Sequence, residues 1–139
     1  MHRSNKILNV KLTAAVTGLR WGEAIVIADA GLPVPEGVET LDLSICAGKP
    51  VMEDILPLMK ESLTVDRVIV ASEMEKVNKE KFDYVKNLWP EQFETMGNLE
   101  WEETILPKAK LVVLTGETSP YGNVILVGGL DFFTLGMAD

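Results

Sequence analysis

With 139 residues, 13 of them basic and 21 acidic, the chain has the length of one domain and a net charge of −8, which disfavours nucleic acid and anionic membrane surfaces as partners. A hydrophobic fraction of 47% excludes a disordered chain. One cysteine, Cys46, excludes an internal disulfide and a Cys₄ or Cys₂His₂ zinc site; one histidine, His2, leaves little scope for histidine acid–base chemistry, and no metal or cofactor is expected.

The N-terminal MHRSNKILNV lacks the apolar core of a signal peptide, and no stretch reaches the ~18 apolar residues of a membrane span, so a cytoplasmic protein without a membrane partner is the expectation. Leu12, Ala15, Val16 and Leu19 recur at helical spacing behind Asn9, a natural N-cap. The run AIVIA, 24–28, is apolar throughout and predicts a strand covered on both faces; TLDLSI, 40–45, predicts an alternating one. Pro50 is placed as the first residue of a helix with Ile55, Leu58, Met59 and Leu63 on its apolar face, and Pro57 is expected to kink it. RVIVA, 67–71, predicts a further strand. Residues 78–89 predict a helix ended by Pro90, and LEWEE (99–103), LVVLTG (111–116) and NVILVGG (123–129) predict three more strands. Helices alternating with apolar strands imply an α/β sandwich with a mostly parallel sheet.

Sheets of that kind bind ligands beyond the carboxyl ends of their strands. That rule selects Asp29 after AIVIA, Ser72 and Glu73 after RVIVA, and the segment TGETSPYGN, 115–123, where Glu117, Ser119, Tyr121 and Asn123 form a donor and acceptor set suited to hydroxyl groups. Turn-making explains Asp29, Pro120 and Gly122 equally well. No glycine-rich phosphate loop is present.

DAGLPVP, LDLSICAGKPVMEDIL and GETSPYGNVIL, in that order, resemble the D-ribose pyranase and L-fucose mutarotase family (RbsD/FucU), nearer the ribose branch. The resemblance runs from about residue 7 to about residue 130, leaving 131–139, with Phe132, Phe133 and Leu135, as an extension of a single domain, 1–139. It implies a three-layer α/β/α sandwich and a cytoplasmic enzyme that interconverts the ring forms or anomers of an aldose. It also implies self-association into a ring-shaped homo-oligomer, a decamer in many members, with sites between subunits. Asp29 would hold the sugar and orient the acid–base group; Tyr121, Gly122 and Asn123 would contact sugar hydroxyls from a neighbouring subunit.

The chain departs from the family at two histidines. Arg20 and Trp21 stand where Gly-His is the pattern, and a second histidine position falls on Trp101. An indole N–H donates but does not titrate, so both tryptophans are expected to line a sugar site and neither to carry a proton. Asp29, Glu23, Glu102, Glu103, Tyr121 and a reaching His2 are the candidates for that task. Three functions compete: a mutarotase or pyranase with an acid–base set centred on Asp29, a family member that binds sugar without turning it over, and an assembly-forming protein without a pocket.

Overall fold

The computed structural model describes residues 6–130; His2 and the apolar residues of 131–139 lie outside that span. Asn9 caps the first helix as its residue type predicts, accepting the Leu12 N–H at 2.9 Å through its side-chain oxygen. That helix, α1 (Val10–Gly18), is followed by β1 (Ala24–Ala28), β2 (Thr40–Asp42), α2 (Met52–Ser62), β3 (Val65–Ala71), α3 (Met74–Val77), α4 (Lys79–Leu88), β4 (Phe93–Met96), α5 (Asn98–Thr104), a 3₁₀ turn at Leu106–Lys108, β5 (Leu111–Leu114) and β6 (Val124–Gly128).

Among the described residues the strands form one six-stranded sheet in the order β2-β5-β1-β6-β3-β4. The β1–β5, β2–β5 and β3–β4 pairs are parallel, whereas β6 runs antiparallel to both β1 and β3. The sheet is therefore mostly parallel, as expected, with one reversed strand near its centre.

Alternation along β1 divides the core. Ile25 and Ile27 face a layer built from α1, α2 and α4 with Leu12, Val16, Met52, Leu56, Met59, Phe82 and Val85. Ala24, Val26 and Ala28 face a thinner layer of α5, the 3₁₀ turn and the 32–38 loop, supplied by Trp101, Leu106, Leu32 and Val34. The result is the expected three-layer α/β/α sandwich.

Two local expectations are corrected, and one strand is added. LEWEE is not a strand: its residues lie within α5, whose start at Asn98 is held by the Glu73 carboxylate accepting the Asn98 N–H at 3.1 Å. The strand on that side of the sheet is FETM, Phe93–Met96, a short edge strand beside β3. Pro50 precedes α2 rather than opening it; the Val51 N–H donates to Asp54 Oδ2 at 2.9 Å, and Met52 is the first helical residue. No helix among the described residues is long and apolar enough to cross a membrane.

Candidate functional site

The reversed direction of β6 builds the centre of the site. Antiparallel pairing of Ile27 with Val124 puts the residue before β6 beside the residues that end β1. Asn123, 6% exposed, therefore meets Asp29 across the sheet edge. The Asp29 N–H donates to Asn123 Oδ1 at 2.7 Å, and Asn123 Nδ2 donates back to Asp29 Oδ2 at 3.2 Å. The Gly31 N–H donates to Asp29 Oδ1 at 3.0 Å, so each carboxylate oxygen receives one donor and the group is fixed in orientation. The loop after β5 is tied to the same place: Thr115 Oγ1 donates to the Ala28 carbonyl at 2.8 Å, and the Ala30 N–H donates to the Glu117 carbonyl at 2.8 Å.

Asp29, Gly31, Pro33, Asn98, Glu102, Tyr121 and Asn123 are among the residues lining an open cavity of about 220 Å³. That is below the ~300–1,000 Å³ of drug-sized sites and suits a ligand of monosaccharide size. A second hollow of about 400 Å³ shares Asp29, Gly31 and Tyr121 and continues along Thr118 and Ser119. Tyr121 adopts φ +53°, a left-handed conformation unfavourable for a side chain of its size, of the kind that collects at ligand sites.

Helix α5 supplies the opposite wall. Asn98 and Glu102 are four residues apart and share a helical face toward the cavity. Trp101, three residues from Asn98, turns into the core and donates its indole N–H to Asn98 Oδ1 at 3.0 Å. Because the indole nitrogen only donates, Asn98 must present its oxygen there, which leaves its amide N–H₂ for the cavity. Glu73 supports this wall from below: backbone N–H groups, its own and that of Asn98, together with the Ser72 hydroxyl hold its carboxyl below the ordinary range.

The structure thus joins Asp29, Tyr121 and Asn123 of the same chain in one cavity, with Gly122 buried in the turn between the last two, which corrects the expectation that this turn meets the Asp29 site from a neighbouring subunit. It does not bring the two tryptophans there. Trp101 is 0% exposed, packed against the second face of the sheet, so the expectation that its ring stacks on a sugar is corrected: its apolar area is already used in the core. Trp21 is 71% exposed and lies before β1, whereas Asp29 lies after it. The five residues of β1 alone separate them by about 16 Å, so within one chain Trp21 does not line the Asp29 cavity. Its indole N–H instead donates to Asp66 Oδ2 at 2.7 Å.

Of the other candidates, Glu102 lines the cavity, Glu103 is exposed away from it, and Glu23 sits at the Trp21 end, bound to the Arg20 N–H at 2.8 Å and Lys110 at 3.1 Å. Those two partners hold its carboxyl low. Asn98 is the cavity-lining residue that sequence reasoning misses; its only signal is a Gly-Asn pair ahead of an acidic, apolar segment, which reads as an ordinary helix start. Among the described residues no group of three His, Cys, Asp or Glu side chains is placed to hold a metal ion.

Comparison with known proteins identifies the family and the fold. Residues 2–131 match the RbsD / FucU transport protein family. A D-ribose pyranase of Bacillus subtilis is 39% identical over 131 residues, spanning 94% of this chain and 99% of the relative. The structure of Bacillus subtilis RbsD complexed with D-ribose superimposes with a TM-score of 0.88 at 39% identity, covering 94% of this chain and 99% of that one. A fucose mutarotase from Streptococcus pneumoniae, solved with L-fucose, shares the fold at a TM-score of 0.72 and 18% identity, covering 88% and 94% of the two chains.

Proposed function

The chain belongs to the RbsD / FucU family, and from that membership we propose that it binds an aldose at the Asp29 cavity and interconverts its ring forms or anomers, with D-ribose the first substrate to test. The observation that carries the reading is the convergence of Asp29, Asn98, Glu102, Tyr121 and Asn123 on one small cavity. Two carboxylates, an amide N–H₂ donor and a phenol are what a polyhydroxy ligand needs on several sides at once.

Opening a cyclic aldose requires a base to take the proton of the anomeric hydroxyl and an acid to protonate the ring oxygen as its bond to the anomeric carbon breaks. Closure through another hydroxyl, or on the other carbonyl face, reverses both transfers. Asp29 is the base of this proposal. Its two oxygens are oriented by Gly31 and Asn123, and each keeps a lone pair for the sugar. Glu102, on the facing wall, is the second carboxylate able to exchange a proton with the ring oxygen. Asn98, held by Trp101, and Tyr121 bind the remaining hydroxyls.

Trp21 enters such a site only from another copy of the chain, by the length of β1. We therefore extend the proposal to self-association into a ring, a decamer being the assembly that the family resemblance favours, in which the Trp21 edge of one subunit meets the Asp29 edge of the next. The exposed indole, fixed by Asp66, would then offer its face to the sugar.

Saturation-transfer NMR on D-ribose, D-fucose, L-fucose and related aldoses tests the reading. Acceleration of ring-form or anomer exchange over buffer is expected, and Asp29→Asn should slow it by about 10²–10⁴-fold, the usual share of general acid–base catalysis. Failure to accelerate any aldose of the panel would end the enzyme reading. The second reading, binding without turnover, is favoured by Trp21 in place of a titratable ring; a saturating fluorescence titration with D-ribose in the absence of exchange would establish it.

A further inference from the structure

The turn after β5 contains a carboxylate that the proposed reaction does not use. Glu117 is 3% exposed and receives three donors at its side chain: the Met52 N–H at 2.9 Å, Ser119 Oγ at 2.6 Å and Lys81 Nζ at 3.2 Å. Lys81 in turn reaches Glu53 at 2.7 Å. One residue therefore links the start of α2, the helix α4 and the turn that leads to Tyr121. A buried charge is tolerated only when paired and hydrogen-bonded, and Glu117 is both. Burial alone would push its carboxyl up, but the Ser119 hydroxyl, the Met52 N–H and the Lys81 ammonium outweigh that and hold it below its ordinary value. At neutral pH it is an acceptor of hydrogen bonds and not a source of protons.

What this acceptor holds is the arm of the site. Gly122 packs so closely on it that a Cβ there would stand 3.0 Å from Glu117 Cγ and 2.8 Å from Ser119 Oγ. The Gly122 N–H donates to the Ser119 carbonyl at 3.2 Å, Asn78 Nδ2 to the Pro120 carbonyl at 2.9 Å, and the Asn123 N–H to the Tyr121 carbonyl at 2.8 Å. Between these ties sits the left-handed Tyr121. A strained residue persists only where its surroundings over-determine it.

We propose that Glu117, acting through Ser119, is a positioning residue that fixes the Tyr121–Asn123 turn relative to Asp29 and so sets sugar affinity in the 220 Å³ cavity, whose lining includes neither Glu117 nor Ser119. The inference rests on the reading of the Asp29 cavity as the sugar site.

Ser119→Ala removes only the tether, Ser119→Thr keeps the hydroxyl, and Glu117→Gln keeps the shape: its amide oxygen can still accept from the Met52 N–H and Lys81 while its N–H₂ donates to the Ser119 hydroxyl. D-ribose exchange measured against D-ribose concentration gives KM and kcat for each, alongside thermal unfolding. Ser119→Ala is expected to raise KM about tenfold, equivalent to about 1.4 kcal/mol, with kcat changed less than threefold and Tm nearly unchanged, and both Ser119→Thr and Glu117→Gln should stay near the wild-type KM. A KM for Ser119→Ala within twofold of wild type, or one that rises only in step with a falling Tm, would overturn the proposal. The Asp29 amide resonance is a readout independent of turnover, because Ser119 does not bond to Asp29 and reaches it only through the turn, by way of Asn123 and of the Glu117 carbonyl that accepts from Ala30. A shift in Ser119→Ala that Ser119→Thr reverses supports positioning, and an unmoved resonance refutes it. A wild type that neither exchanges nor binds any aldose, beside variants that show this shift pattern, would defeat the sugar reading and leave the positioning standing.

Discussion

Asn123→Ala removes both bonds of the clamp on Asp29, and the structure allows the loss to be built up term by term. The Asp29 N–H at 2.7 Å from Asn123 Oδ1 would be left without its acceptor in a half-buried place, a loss of about 1–3 kcal/mol when water cannot replace it. The return bond to the carboxylate is longer, 3.2 Å, and Asp29 is partly solvated, so solvent screening reduces its share to about 0.5–1 kcal/mol. A total near 2–3 kcal/mol corresponds to a Tm lower by roughly 6–15 °C for a chain of this length. Asn123→Asp separates the two terms. An oxygen still accepts the Asp29 N–H, but a second carboxylate now faces Asp29 Oδ2 where a donor stood. Like charges raise the folded-state pKa of the pair, so the penalty is small in acid and grows as pH rises through the ordinary carboxylate range near ~4. Urea unfolding followed by tryptophan fluorescence at pH 4 and pH 7, with an unchanged slope as the sign of an intact two-state transition, measures both variants. A loss under about 0.5 kcal/mol for Asn123→Ala, or an Asn123→Asp penalty independent of pH, would refute the clamp.

Trp101→Phe keeps most of the packed area but deletes the donor that sets the Asn98 amide. It should cost about 0.5–1.5 kcal/mol in stability by urea unfolding and weaken D-ribose binding in a fluorescence or calorimetric titration more than that loss explains. Trp21→Ala, at a site 71% exposed, should leave monomer stability within about 0.5 kcal/mol, while lowering sugar affinity in the assembled protein; size-exclusion chromatography with light scattering, run beside the titration, separates loss of assembly from loss of contact. Stability should fall in acid. Glu117 has a folded-state pKa below its ordinary 4.5, so its contribution is present above that value and is lost as pH falls through the lowered one. Lys81 is the opposite case: burial would lower its ammonium, but Glu53 and Glu117 raise it above 10.5, so its contribution persists until pH climbs through that raised value. Circular-dichroism melts from pH 3 to pH 7 should show a shallower acid limb in Glu117→Gln than in wild type.

What is legible in the sequence follows from how much of each segment is buried. AIVIA reads as a strand because both its faces are covered and every residue is apolar. LEWEE reads as a strand too, since Leu99 and Trp101 alternate with acids, yet Leu99 is 66% exposed and Trp101 fully buried. Two apolar marks cannot tell a period of two from one turn of a helix, and the capping bond from Glu73 that decides the matter comes from 25 residues away. FETM is hard to see for a related reason: on an edge beside β3 it needs no continuous apolar run. Asp29 stands out by its place at a strand end. Asn98 does not, because its orientation is set by the indole of Trp101, a contact that exists only once α5 has formed. Glu117 reads as a hydroxyl-binding group by its composition alone, whereas burial under Ser119 and Lys81 turns it into a support.

The reversed strand explains why the two motifs at the ends of the chain belong together. Ligand sites of parallel sheets collect at the carboxyl ends of strands, and Asp29 follows that rule. Asn123 precedes its strand. Had β6 run parallel to β1, the residue before it would have emerged at the edge where Trp21 lies, and Asp29 would have lost the partner of both its backbone N–H and its carboxylate. Because β6 is antiparallel to β1, with Ile27 opposite Val124, the amino end of β6 and the carboxyl end of β1 coincide, and two side chains 94 positions apart close one clamp. Sheet topology, and not the loop sequences alone, thus places the amide donor against the carboxylate, and the same topology leaves Trp21 at the opposite end of β1.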